Sequence, residues 1–508
     1  MSMAVNELKA GAILSYISIA VNNIVGLLYT PFLLRMLGQT EYGLYSLVAS
    51  IVGYLTILDL GFGNAIIRYT AKYRAEGKTE EQSALLGMFF RLYCIIGLVA
   101  FIAGIILLIN AENIFGQTMT PDDIHQTKIM MGLMVFNIAV SFPMSIWGAI
   151  ITAYERFIFQ RLVNIARVIL NAIVMILLLM MGFKAIAMVV VLTIFNILTL
   201  LSNFWFCKNR LHISIHFSQM DYSLLKEIFS YSIWIFLAGI VDRVYWSTGQ
   251  FVIGIYHPPT AIAIFGVAIQ LQAFYSSFSF AISGVFFPKI VRLTTIEKDV
   301  HQLSNLFIRV GRLQFYVMGL VFTGFLLFGQ RFVELWAGKE YSSSFIMAVI
   351  LFSVILLSSI QAIGTNILQA LGDVKFRAIS IFLVSLGAFI ICFPVANRYA
   401  GIGCSAVIAL GIFIGHILIL NWYYSAKIGL NIKTFWLNIA KLAIIPLLLT
   451  IIGFYVLKFI DTGNTFSYIC AIIIYALIYF ISTYFISFNA EERRLFSPIL
   501  SKLKKISQ

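Results

Sequence analysis

The stretch LTILDLGFGNAIIRYTAKYRAEGK, Leu55 to Lys78, starts apolar and ends basic. Asp59 stands in its apolar half, two residues before Gly61 and four before Gly63. Arg68, Lys72, Arg74 and Lys78 crowd the other half. An apolar body that ends in a basic collar is the form of a helix leaving a membrane on its cytosolic side. The whole chain agrees with that reading. Its 508 residues are 61% hydrophobic and only 11% charged, with a mean hydropathy of +0.96. A soluble protein carries about 25% charged residues, so the solvent for most of this chain is lipid.

A helix needs about 20 apolar residues to cross the hydrocarbon. By that measure the sequence predicts about 14 spans, near 10–34, 42–67, 84–109, 128–152, 158–182, 185–207, 226–251, 260–287, 304–328, 343–369, 376–396, 400–425, 435–459 and 465–487. Barrel strands would alternate over about 10 residues, and these runs are longer and evenly apolar. The expected fold is an all-α polytopic membrane protein, because unpaired backbone cannot face lipid. The first run is too long for a cleaved leader and reads as a retained helix.

The net charge of +14 reports orientation. With both termini cytosolic, most of the 35 Lys and Arg fall on the cytosolic side. Arg35, Lys128, Lys184, Arg331, Lys339, Arg398 and Lys458 fall on the far side, and Arg243 lies mid-helix. This is the positive-inside pattern. The tail 491–508 reads as a basic cytosolic segment, either amphipathic on anionic lipid or solvated.

Several chemistries are missing. Gly77-Lys78-Thr79 lacks the glycine that a phosphate-binding loop places five residues earlier; Lys72 stands there. His212 and His216 have metal-pair spacing without a third ligand, so no metal is expected. Cys94, Cys207, Cys392, Cys404 and Cys470 show no paired spacing and read as apolar thiols. No catalytic signature is present, and the expectation is a protein that is not an enzyme, moved by an ion or substrate gradient.

The chain also resembles itself at an offset of roughly 220 residues. NNIVGLLYT from Asn22 falls on DRVYWSTGQ from Asp242, and Tyr45 falls on Phe265. RLYCIIGLV from Arg91 matches RLQFYVMGLV from Arg312, and AYERFIFQR from Ala153 matches ALGDVKFRA from Ala370. Six spans per repeat give both copies the same orientation, around an axis along the membrane normal. The expected organisation is an N-lobe over 1–215 (spans 1–6), a C-lobe over 216–428 (spans 7–12), spans 13 and 14 over 429–490, and the tail 491–508.

The segment Leu34–Lys78, LRMLGQTEYGLYSLVASIVGYLTILDLGFGNAIIRYTAKYRAEGK, together with LGDVKF after the tenth span, resembles bacterial polysaccharide-biosynthesis flippases of the Wzx type. These belong to the multidrug/oligosaccharidyl-lipid/polysaccharide superfamily. The resemblance implies two parallel six-helix lobes around a central cavity, in the bacterial cytoplasmic (inner) membrane. It implies transport of an undecaprenyl-pyrophosphate-linked oligosaccharide, such as an O-antigen, capsule or exopolysaccharide unit, from the cytosolic to the outer leaflet. Polysaccharide polymerase and chain-length proteins are the implied partners. No cofactor is implied beyond H⁺ or Na⁺ coupling. Multidrug or organic-cation antiporters and the lipid II flippase share the architecture.

Charges inside the membrane mark the candidate site, because each costs at least ~2.5–3.5 kcal/mol facing lipid. Asp59, Asp242 and Arg243 are such charges. Asp59 reads as a structural partner, a charge lock between lobes, or a coupling-ion site, with Gly61 and Gly63 as its hinge. Asp242 and Arg243 are expected to line the cavity or to form an interhelical lock, with Asn22 and Asn23 opposite them in the repeat. Arg68 on the cytosolic side and Arg35 on the far side are candidates to meet a pyrophosphate, since Arg offers a bidentate fork. Arg91 and Arg312 read as snorkelling to the cytosolic interface. Tyr16, Tyr29, Tyr54, Trp234, Tyr245, Trp246 and Tyr275 are candidates for stacking on sugars or for packing. An acidic, more apolar cavity would instead fit an organic cation, and a large outer loop would fit a polymerase or ligase. A scaffolding protein would not need the repeat.

Overall fold

A computed structural model describes residues 2–217, 222–297, 299–459, 464–490, 492 and 493. The expected tail therefore lies outside the described residues beyond Arg493. No strand occurs among the described residues. Ten helical stretches are long and apolar enough to cross a membrane, and two bent pairs, Tyr222–Ser230 with Ser232–Tyr256 and Ser344–Ser359 with Ala362–Leu371, bring the number to 12.

Two of the ten stretches are too long for one crossing. Ile17–Ala75 has 59 residues and Lys375–Ile428 has 54, whereas about 20 suffice. Each is two helices joined at a non-helical residue. In the first, Gly38 takes φ 73° and ψ 175°, a conformation open to a residue without Cβ. In the second, Ala400 takes φ 45° and ψ −133°. Divided there, the described residues carry the 14 runs expected from hydropathy.

The chain packs as two compact units, each discontinuous in sequence. The first comprises Met1–Ile269 with Val374–Gly411, the second Gln270–Asp373 with Ile412–Gln508. In the first unit an aromatic and aliphatic core of Phe62, Phe89, Tyr93, Phe142, Trp147 and Ile150 joins helices Phe62–Ala75, Thr79–Ile109 and Pro121–Ala153. The helix Pro121–Ala153 begins on a capping box. Thr120 Oγ1 accepts from the Asp123 N–H at 3.2 Å, and the Asp123 carboxylate accepts from the Thr120 N–H at 3.0 Å. Both groups would otherwise be orphan donors at a helix start.

The connections of the first unit segregate at its two ends. At one end Glu41 accepts from the Ala185 N–H (3.2 Å) and pairs with Lys184 (3.4 Å). There too Thr118 Oγ1 donates to the Gly254 carbonyl (2.7 Å), and His257 Nε2 lies 2.8 Å from the Ala396 carbonyl oxygen. At the other end Gln82 donates to Tyr154 Oη (2.9 Å), the His216 N–H donates to the Ser83 carbonyl (3.1 Å), and Tyr69 donates to Glu227 (2.8 Å).

In the second unit, Arg312 departs from the snorkelling expectation. It is only 9% exposed. Its Nε and Nη2 donate to the two Glu492 carboxylate oxygens at 2.6 and 2.8 Å, and Nη2 also reaches Tyr316 Oη and the Ser487 carbonyl. A partner 180 residues away, invisible to a local reading, removes the need to reach the interface. Tyr275 is likewise buried. It stacks on Phe352 (4.3 Å between centroids, 11°) and donates to the Met318 carbonyl, which occupies its ring and its hydroxyl.

Candidate substrate pathway

Asp59 ends a short 3₁₀ turn, Thr56–Asp59. Leu60 and Gly61 then take left-handed conformations (φ 53° and 74°), and a new helix runs Phe62–Ala75. The second span is therefore broken at the residues singled out in the sequence. The break leaves the first N–H groups of a helix without partners inside the membrane plan. Asp59 stands at this break, and its carboxylate accepts a hydrogen bond from Tyr93 Oη at 2.7 Å.

The two glycines differ. A Cβ on Gly61 would lie 2.9 Å from Ile235, and its φ is left-handed. A Cβ on Gly63 would meet nothing nearer than Tyr93 Oη at 3.9 Å. Gly61 is a close-approach point for the helix Tyr222–Tyr256, and Gly63 is an ordinary helical position.

Further along the same helix pair, Gly53 faces Arg243. One guanidinium nitrogen lies 3.7 Å from where a Gly53 Cβ would sit, beside Ser247. Tyr54 Oη and Thr248 Oγ1 are 2.5 Å apart. Arg243 is half-buried and its neighbour Asp242 exposed. Ile235 and Arg243 are eight residues apart, so the Asp59 break and Arg243 sit about 12 Å apart along this helix.

Asn22 is exposed and donates to the Ser18 carbonyl at 2.8 Å; Asn23 is half-buried. Arg35 is exposed three residues before the Gly38 break. Arg68 is exposed, its guanidinium 5.7 Å from the Tyr69 ring centroid.

The structure adds a charge that the positive-inside pattern groups with the cytosolic cations. Arg167 lies in the helix Phe157–Met180, ten residues from its start, about 15 Å into it. Its Nη2 donates to Asn164 Oδ1 at 3.0 Å, and Asn164 Nδ2 donates to Ser18 Oγ at 3.0 Å. This helix packs against the first one. Arg167 stands three residues beyond Asn164, and Asn22 four beyond Ser18, so the two occupy one level. The signal was present: Gln160, Asn164, Arg167 and Asn171 recur at helical spacing in an apolar run, which is a polar stripe along one helix face.

Other cavities lie in the first unit away from these residues. One, of about 280 Å³, is lined by Arg156, Arg210, Phe159 and Phe206; another, of about 750 Å³, by Glu41, Lys184 and apolar side chains. No cluster of three metal-ligating side chains occurs among the described residues.

A family model described as "Polysaccharide biosynthesis protein" matches residues 8–294. The chain belongs to that family. The match includes Asn22, Arg35, Asp59, Arg68, Arg167, Asp242 and Arg243. A Shigella flexneri protein described as "Putative O-antigen transporter" is 21% identical over 423 residues, covering 80% of this chain and 95% of that protein. Among solved structures, the lipid II flippase MurJ in an inward closed conformation aligns with a TM-score of 0.74 at 18% identity, over 94% of this chain and 98% of MurJ. An inward-facing multidrug resistance MATE transporter aligns with a TM-score of 0.63 at 12% identity, over 82% of this chain and 95% of the transporter. This member of the polysaccharide biosynthesis family is therefore a multi-pass membrane protein with the fold of the MOP transporters.

Proposed function

We propose that the protein flips an undecaprenyl-pyrophosphate-linked oligosaccharide from the cytosolic to the outer leaflet of a bacterial cytoplasmic membrane by alternating access, with both termini cytosolic. The observation that carries the reading is Arg167, a cation held mid-membrane by Asn164 and Ser18 at the level of Asn22. A guanidinium offers paired donors to a pyrophosphate, and the flanking amides and hydroxyls suit sugar hydroxyls. Arg243 supplies a second cation on the helix Tyr222–Tyr256. Arg68 and Arg35 mark the cytosolic entry and the far-side exit. The sequence repeat over 1–215 and 216–428 supplies the two halves that rock.

Asp59 acts as the pin of the helix break, and proton or Na⁺ coupling falls to it or to Asp242. A polysaccharide polymerase and a chain-length protein would receive the product. The direct test is reconstitution into liposomes with labelled lipid-linked oligosaccharide, lipid II and an organic cation in parallel. Movement of the oligosaccharide lipid supports the reading. Transport of only the cation, or of lipid II alone, overturns it.

A further inference from the structure

Two of the five cysteines are brought together by the fold. Cys392 Sγ and Cys404 Sγ lie 3.1 Å apart, and the residues are 1% and 0% exposed. They flank the break at Ala400. Cys392 stands eight residues before Ala400 and Cys404 four after it, about 12 and 6 Å along their helices from the break. The other cysteines stand elsewhere: Cys207 donates to the Trp147 carbonyl at 3.4 Å, Cys94 is exposed and Cys470 half-buried.

The turn itself faces outward. Arg398 is one of the few cations on the far side, and the Ala396 carbonyl beside it meets His257 at the end of the unit that also carries Glu41, Lys184 and Thr118. The exterior of a bacterial cytoplasmic membrane is the compartment where disulfides form and persist, whereas the cytosol keeps thiols reduced. Bonded sulfurs are about 2.05 Å apart, so these two need to close by about 1 Å.

We propose that Cys392 and Cys404 form a disulfide that staples the two helices on either side of the Ala400 turn. The inference rests on the orientation in the proposed function, with the 396–400 turn on the outer face. Formation proceeds by exchange with an external dithiol–disulfide oxidoreductase. One cysteine thiolate attacks a sulfur of the oxidant's disulfide, giving a mixed disulfide and expelling the oxidant's other thiolate. The second cysteine thiolate attacks the mixed disulfide, forming Cys392–Cys404 and releasing the oxidant as its dithiol. Two protons leave the cysteines and two electrons pass to the oxidant. Because both sulfurs are buried, exchange occurs before the hairpin packs, and the finished bond is shielded from reductant. It is a structural staple, not a redox sensor.

The test is alkylation with N-ethylmaleimide as cells are dissolved directly in denaturant, followed by intact-mass and peptide analysis. The expected result is three adducts, on Cys94, Cys207 and Cys470, rising to five after reduction. Five adducts without reduction overturn the proposal. In Cys392→Ser, Cys404 becomes alkylatable without reduction; if Cys404 stays blocked, an intramolecular bond to Cys392 is refuted. Orientation is read separately, with Tyr399→Cys in a Cys392→Ser/Cys404→Ser background and an impermeant thiol reagent on intact cells. Labelling together with five adducts in the wild type rejects the staple and keeps the orientation. No labelling rejects the orientation.

Discussion

The Arg312 guanidinium meets the Glu492 carboxylate through two hydrogen bonds of 2.6 and 2.8 Å, in a site where the Glu492 side chain is fully buried. The pair is completed by Tyr316, by the Ser487 carbonyl and by the Asn489 N–H, which donates to Glu492 at 2.9 Å. A buried pair whose remaining donors and acceptors are satisfied ties the chain just beyond the last span to the middle of the second unit. Removing one partner leaves a buried charge, which costs about 3–5 kcal/mol. Glu492→Ala is expected to lower the melting temperature of detergent-solubilised protein, and Arg312→Met/Glu492→Leu to recover much of the loss. Equal melting of Glu492→Ala and wild type would refute the clasp.

The same pair sets an acid limit. Burial pushes the Glu492 carboxyl upward, but the Arg312 and Asn489 hydrogen bonds outweigh it and hold it below the ordinary glutamate value. A carboxylate depressed in the folded state contributes stability above its unfolded pKa of about 4.3, lost as pH falls through the lower folded value. Thermal stability is therefore expected to fall steeply below about pH 4, and the acid limb to flatten in Glu492→Gln. An identical limb in the variant would remove Glu492 from the account.

At the helix break, the two glycines predict opposite outcomes. Gly61→Ala places a Cβ in a left-handed conformation and 2.9 Å from Ile235. The backbone part alone costs about 1–2 kcal/mol. Gly63→Ala has open space and gains up to about 1 kcal/mol of helix propensity. Melting curves of the two variants should move in opposite directions; a shared sign would mean that the break is not built as described.

Asp59 has a separable prediction. Asp59→Ala removes the acceptor for Tyr93 at the helix break, and polymer export is expected to stop while expression continues. Asp59→Asn keeps an acceptor oxygen and loses the charge. Retained export in Asp59→Asn identifies a structural pin. Export that persists but no longer responds to the proton or Na⁺ gradient identifies the coupling site.

Arg167 and Arg243 are expected to matter through charge. A hydrogen bond to a charged group is worth about 1.5–3 kcal/mol, equivalent to about 10–100-fold in rate. Arg167→Ala and Arg243→Ala should each slow flipping in liposomes by that factor at unchanged insertion, with Arg167→Lys intermediate. Wild-type rates in both alanine variants would remove the cationic pathway.

Much of the fold was legible because membrane spans are written locally. Hydropathy places the runs, and the basic collar at Arg68–Lys78 marks where one of them ends. The broken second span was legible in the same way, since Gly61 and Asp59 are a helix weakener and an acceptor two residues apart. Arg167 was legible in principle, at helical spacing from Gln160 and Asn164, but the neighbouring Arg156 and Arg161 at the start of its run hid its depth.

Sequence alone determined the all-helical class, the approximate spans and the family, because a helix in lipid must satisfy its own backbone and so carries its signal in consecutive residues. Tertiary structure alone decided which polar groups meet. Arg312 and Glu492 are 180 residues apart, Asn164 and Ser18 146, and Tyr93 and Asp59 34. Such pairs leave no local periodicity, since each side chain is placed by the helix it rides on and its partner arrives only through packing.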